Sequence, residues 1–183
     1  MKKRLEQIRK AGKAPLGRTA GFLLLFLAFG AGMGTAAKLF DLYAGYLGEI
    51  FSQMSVWILL GTVIAVRSGS PKRAAGYVPA FCGGMLIAYY TMAHCMDSPY
   101  SITFVLGWTV FSLLSAFFAV LAWYAGGRGW PAAVLAAGIL LFTAAAAVLL
   151  FDKLRISDAA VLLLLGILLS GRRQLRDVSP GAG

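Results

Sequence analysis

Ala159-Ala-Val-Leu-Leu-Leu-Leu-Gly-Ile-Leu-Leu169 carries no polar side chain on any face. A strand of a membrane barrel alternates apolar and polar residues, whereas a run that is apolar all round is what a helix presents to lipid or to a protein core. Working outward from this stretch, the chain holds five more, so that the set covers residues 20–37, 50–66, 74–96, 102–125, 130–151 and 159–170. A helix rising about 1.5 Å per residue needs about 20 apolar residues to cross a hydrocarbon core of about 30 Å, and most of the six reach that with small extensions. The last is short. It is expected to draw in Ile156 and Ser157 at one end while Arg172 and Arg173 snorkel at the other. The expected fold class is all-α, a polytopic membrane protein with six transmembrane helices. Residues 1–19 read as a basic N-terminal segment, 20–171 as the transmembrane domain and 172–183 as a tail. No hydrophilic stretch in the 183 residues is large enough for a separate soluble core.

Counting Lys and Arg between the spans gives an orientation. Lys2, Lys3, Arg4, Arg9, Lys10, Lys13 and Arg18 precede the first span. Arg67, Lys72 and Arg73 lie in the second loop, Arg128 in the fourth, and Arg172, Arg173 and Arg176 in the tail, which places 14 of the 17 bases on one side. The other loops carry Lys38, Lys153 and Arg155 against Asp41, Glu49, Asp97, Asp152 and Asp158, a net −2. The positive-inside rule then predicts both termini in the cytoplasm (N-in/C-in), the acidic loops outside and a multi-pass protein of the plasma membrane. The net charge of +10 thereby reads as a face toward anionic headgroups of the lipid bilayer, and no nucleic acid partner is expected. One competing reading makes residues 1–37 a signal peptide ending in Gly34-Thr35-Ala36-Ala37; its long basic region and the loss of charge alternation on cleavage count against it.

Catalysis is not expected. No nucleophile with a base and no His-Glu-x-x-His pattern appears, and no Asp, Glu, Lys or Arg lies well inside a span, which counts against an ion-coupled carrier acting alone. Cys82 and Cys95 fall thirteen residues apart on one helix, about 20 Å along its axis, too far to bridge. With a single His, no metal site and no cofactor are expected.

Two features carry chemistry or packing. In the first span Ala28, Gly32 and Ala36 recur at four-residue spacing, as do Gly30 and Gly34, so another helix of this chain or a membrane protein partner can approach closely. Polar and aromatic residues gather near the outer ends: Lys38 and Asp41 after the first span, Tyr43 and Tyr46 in a twelve-residue loop from Lys38 to Glu49, and Tyr100 beyond the third span. Glu49, Gln53 and Trp57 share one face at i, i+4 and i+8; Tyr90, His94 and Asp97 share another; Trp108 sits under two turns into the fourth span. Converging, these faces would form an outward cup for a neutral or cationic small-molecule ligand. The competing account is interfacial anchoring by Tyr and Trp, with the charges merely solvated. On the basic side the loops are tight, and the first eighteen residues, with Leu5 and Ile8 among bases, read either as an amphipathic or docking segment or as a tether.

Lys38-Leu-Phe-Asp41, Phe51-Ser-Gln-Met-Ser-Val-Trp57, Ser68-Gly-Ser-Pro-Lys-Arg-Ala-Ala75, Phe81-Cys-Gly-Gly-Met85, Ala88-Tyr-Tyr90 and Ala122-Trp-Tyr-Ala125 resemble a family of small bacterial integral membrane proteins of unknown function, over most of the chain. In layout alone the chain is also similar to the substrate-binding S components of energy-coupling-factor vitamin transporters, in which a small-residue face on the first helix implies docking to a coupling subunit. This chain departs from them in placing its small face toward the outer half of the span, and it shows no vitamin-specific residues. The expected function is binding of a small solute from the extracytoplasmic side, as in the specificity subunit of a transporter. The alternative is a non-catalytic assembly or regulatory subunit.

Overall fold

The computed structural model describes residues 8–12, 15–51, 53–151 and 155–177, and every regular element among them is a helix. The helices are α1 (Leu16–Tyr43), α2 (Gly45–Phe51), α3 (Met54–Arg67), α4 (Pro71–Cys95), α5 (Ile102–Ala125), α6 (Gly129–Phe151) and α7 (Ile156–Asp177). The expectations placed on Lys2, Lys3, Arg4, Leu5, Lys13, Asp152 and Lys153 lie outside the described residues, as do those on the side chains of Arg172, Arg173 and Arg176.

The protein is a helical membrane protein with three to four candidate spans. Three helices, over Gly17–Tyr43, Ile102–Ala125 and Gly129–Leu149, are long and apolar enough to cross a bilayer, and α2 with α3 makes a fourth if the bent pair is one span. The other two expected spans fall short for different reasons. In α7 the apolar part is Ile156–Ser170, which at about 1.5 Å per residue covers only about 23 Å. Helix α4 is long enough, but Lys72, Arg73, three tyrosines and His94 lower its hydropathy. It also packs on both α1 and α5, so much of its surface meets protein rather than lipid.

Helices α1 and α4 run parallel in a fixed register. Phe26 packs at a tilt against Tyr77, Phe29 stacks on Phe81, and Asp41 accepts a hydrogen bond from Tyr89. Their closeness rests on three glycines. A Cβ at Gly30 would overlap the Phe81 carbonyl, one at Gly34 the Met85 carbonyl, and one at Gly84 the Leu27 carbonyl. With no hydrophobic drive between helices in lipid, such backbone-to-backbone contact supplies the dispersion energy for pairing. Ala28 and Gly32, on the other face of α1, are exposed, and Gly32 has open space around it.

The twelve-residue loop expected from Lys38 to Glu49 is helical instead. Helix α1 runs on to Tyr43, the chain turns at Ala44, and α2 folds back so tightly that a Cβ at Gly48 would collide with the Phe40–Asp41 backbone. A break between Phe51 and Met54 sets α2 and α3 at 55°. The indole Nε1 of Trp57 donates to the Phe51 carbonyl at 2.8 Å, which holds this break. It also corrects the expectation of a single face for Glu49, Gln53 and Trp57: Glu49 is on α2, Gln53 caps α3, and only Trp57 lies within α3.

At one end of the bundle, residues 8–12 form a strap across α3, α4 and α5. Arg9 is only 8% exposed. Its guanidinium stacks on the Trp123 ring at 4.3 Å and donates to the carbonyls of Trp123 and Val66, each at 2.8 Å. Both carbonyls belong to helix C-termini, where the macrodipole is negative and backbone acceptors lack intrahelical partners. Backbone bonds from Arg128 to Ile8 and from Gly12 to Gly69, with Arg73 donating to the Gly12 carbonyl, complete the strap.

Candidate functional site

The polar residues at the opposite end fall into two groups. Around α1 and α4, Lys38 is buried, pairs with Asp41 at 3.0 Å and lies 5.3 Å from the Tyr89 ring centroid; Tyr90 packs against Tyr89 and Tyr100. Between α2, α3 and α7, Glu49 pairs with Arg155 at 2.9 Å, and Gln53, 1% exposed, accepts from the Ser157 hydroxyl at 2.8 Å. Beside it the carboxylate of Asp158, also 1% exposed, accepts from Ser55 at 2.5 Å and from the Arg155 backbone N–H at 3.1 Å. The Asp158 bond to Arg155 is one half of a capping box on α7, the acid at the third helical position reaching back to the backbone N–H of the residue before the helix.

The remaining expected ligand-binding residues are dispersed. Trp57 is buried among Phe51 and Phe81, with its N–H already engaged. His94 is exposed, and so is Asp97, which takes a left-handed conformation (φ +48°) where α4 ends. Trp108 stands edge-on to Phe111. The described contacts thus join Lys38 to Asp41 and place Glu49 and Gln53 on one network, without gathering Gln53, Trp57, Tyr90 and His94 round a common space. Ser55, Ser157 and Asp158 were not singled out from sequence. The one available signal was an acid at the third position of the last helix, which reads equally well as a solvated loop charge.

A cavity of about 390 Å³ does exist, deeper in the bundle, between α3, α4, α5 and α6. Trp57, Ile58, Gly61 and Thr62 line it from α3, Val78 and Cys82 from α4. Phe111, Ser115, Phe118 and Ala119 come from α5, and Val134, Leu135, Gly138, Ile139 and Phe142 from α6. The exposed members of this lining, Val134, Gly138 and Phe142, place its opening along α6. No lining side chain is charged. Small residues create the space: Gly61, Ala119 and Gly138 stand where larger side chains would meet across the bundle, and no atom lies within 4 Å of a Cβ built at Gly138.

Apolar walls exclude water, since a buried water needs two to four polar partners. A dry cavity of roughly 150 Å³ in a protein core is already enough to take up benzene, and this one is more than twice that size. It lies within the usual range of small-molecule sites, about 300–1,000 Å³. What the arrangement offers is shape, aromatic surface and a few neutral polar atoms. Among the described residues no group of three or more His, Cys, Asp or Glu converges on a metal-sized site. No protein-family model, no curated protein and no solved structure matches the chain, and no family is identified for it.

Proposed function

We propose that the chain is a six-span membrane protein, N-in/C-in, that binds a small apolar molecule in the cavity between α3, α4, α5 and α6. The observation that carries this reading is the cavity itself: about 390 Å³, uncharged, and open along α6. In the six-span arrangement α4 and α7 complete the crossing as protein-shielded and short spans. The Arg9 strap then lies at the cytoplasmic face and the Asp158 network at the outer face, in keeping with the distribution of Lys and Arg. A transport role, as the specificity subunit of a larger transporter, and residence in the plasma membrane belong to the same proposal. The division into residues 1–19, 20–171 and 172–183 stands with it, the strap being the part of the first segment that meets the bundle.

This reading differs from an outward polar cup. The Trp57 N–H and the Gln53 side-chain oxygen are already bonded within the chain, to the Phe51 carbonyl and the Ser157 hydroxyl, which leaves them unavailable to a polar solute. A thermal-shift panel of apolar and polar small molecules on the detergent-purified protein tests it, because a ligand present at about 100 times its Kd stabilises the native state by about 2.7 kcal/mol. Stabilisers are expected among the apolar compounds and lost in Gly138→Leu, which fills the opening. Stabilisation by a polar solute, abolished in His94→Ala or Gln53→Ala, would overturn the proposal in favour of the cup.

One observation favours a second reading, an assembly subunit. Ala28 and Gly32 present a small-residue surface away from α4, open to a partner helix. Cysteine at position 32 would then cross-link to a second membrane protein in situ; cross-linking to nothing would remove that reading.

A further inference from the structure

Thr62 is 5% exposed, lines the cavity, and its hydroxyl makes no hydrogen bond to any described residue. Some helical hydroxyls elsewhere in the bundle turn back onto their own helix, Thr109 to Val105 and Thr143 to Ile139, each at 2.7 Å. The other polar groups of the cavity are occupied. Ser115 donates to the Ser112 carbonyl and lies against the Cys82 thiol, and the Trp57 N–H is bonded to Phe51. Among the residues lining the cavity, the Thr62 hydroxyl is therefore the buried donor without a described partner, an arrangement that natural proteins rarely leave unsatisfied. Opposite the α3 wall, Phe111, Phe118 and Phe142 form a ladder of offset rings, with centroids 6.4 and 5.3 Å apart and planes inclined by 28° in each pair. Such a ladder favours a flat ring, which can continue the offset stacking, over a thin alkyl chain. The absence of charge in the lining excludes an ionised ligand, whose desolvation would go uncompensated.

Resting on the reading of this cavity as a small-molecule site, we propose that its ligand is a neutral, ring-bearing apolar molecule with at least one ring carbonyl, as in a cyclic ketone or a quinone, which stacks on the Phe111–Phe118–Phe142 ladder and accepts through that carbonyl from the Thr62 hydroxyl. The opening along α6 lets such a molecule enter sideways from the hydrocarbon phase, where apolar ring compounds concentrate.

Three probes separate the parts of this proposal: 2,3-dimethyl-1,4-naphthoquinone, whose blocked ring positions prevent addition of thiols; 2,3-dimethylnaphthalene, the same shape without carbonyls; and decane. Each is titrated into detergent-purified wild type, Thr62→Val and Thr62→Ser, with Kd taken from the concentration dependence of the melting temperature. Loss of one hydrogen bond corresponds to about a tenfold change in affinity. The ratio of the two ring compounds' Kd values is therefore expected to shift by about tenfold against the quinone in Thr62→Val, and to stay near wild type in Thr62→Ser. Both rings are expected to bind more tightly than decane. If the ratio is unchanged in Thr62→Val, or decane binds as well as the rings, the ligand class is wrong while the cavity reading stands. If none of the three stabilises wild type, the cavity reading falls as well. Should Thr62→Val fail to fold, the wild-type comparison of rings with decane still decides the ring part, and Thr62→Ala takes its place for the hydroxyl.

Discussion

Single side chains at the two ends of the bundle hold what helix packing alone does not. Arg9 satisfies carbonyls at the C-termini of α3 and α5 while its flat face rests on Trp123, a geometry suited to a planar guanidinium and not to an ammonium. Its removal leaves buried acceptors without their donor, at about 1–3 kcal/mol. Arg9→Ala should therefore lower stability by that amount in reversible detergent unfolding, with Arg9→Lys recovering only part; an unchanged midpoint for Arg9→Ala would show that the strap does not stay docked. At the other end Asp158 accepts from Ser55 and caps α7. Asp158→Ala should cost about 1–3 kcal/mol, most of it the buried Ser55 hydroxyl and Arg155 N–H losing their acceptor. Neither residue announced this in the sequence, where Arg9 is one of seven bases in a row of loop charges and Asp158 one of five outer acids.

At the level of the helix, glycine position decides the outcome. Gly30, Gly34 and Gly32 belong to the same small-residue stretch, yet the first two face the α4 backbone and the third faces open space. Gly30→Ala and Gly34→Ala should each force α1 and α4 apart and destabilise the protein by about 1–3 kcal/mol, whereas Gly32→Ala should be tolerated. Equal effects at all three would contradict the observed pairing of α1 with α4. Helix existence was legible from the apolar runs, because a stretch apolar all round leaves the backbone no better way to satisfy its polar groups in lipid. The breaks were not. Residues 50–66 read as one continuous run, in which Ser52-Gln53 is a weak interruption; the break between α2 and α3 is held by bonds, from the Trp57 N–H to the Phe51 carbonyl and from the Ser157 hydroxyl to Gln53, that the hydropathy pattern does not display.

For the whole molecule, the proposed topology puts the Arg9 strap inside and the acidic end outside, following the distribution of Lys and Arg. Cys95 is exposed at the acidic end, while Cys82 is buried in the bundle. A membrane-impermeant maleimide applied to intact cells should label Cys95 and leave Cys82 untouched; labelling of Cys95 only after permeabilisation would invert the topology. The outer polar residues were visible in the sequence because polar side chains at span ends stand out against apolar runs. The cavity was not, since a void is fixed by how Gly61, Ala119 and Gly138 from three helices face one another, and each alone is an ordinary small residue of a membrane helix. Thr62 likewise looked like any helical threonine until its neighbours were in place.

If this cavity holds a small apolar molecule, that molecule is recoverable from the purified protein. Wild type and Gly138→Leu would be purified in parallel from membranes in mild detergent, compared for helical content, and examined by native mass spectrometry followed by organic extraction. The account predicts a neutral apolar compound bound near one per chain in wild type and missing from Gly138→Leu at equal helical content. The same compound carried equally by both proteins, or none carried by either, would contradict it.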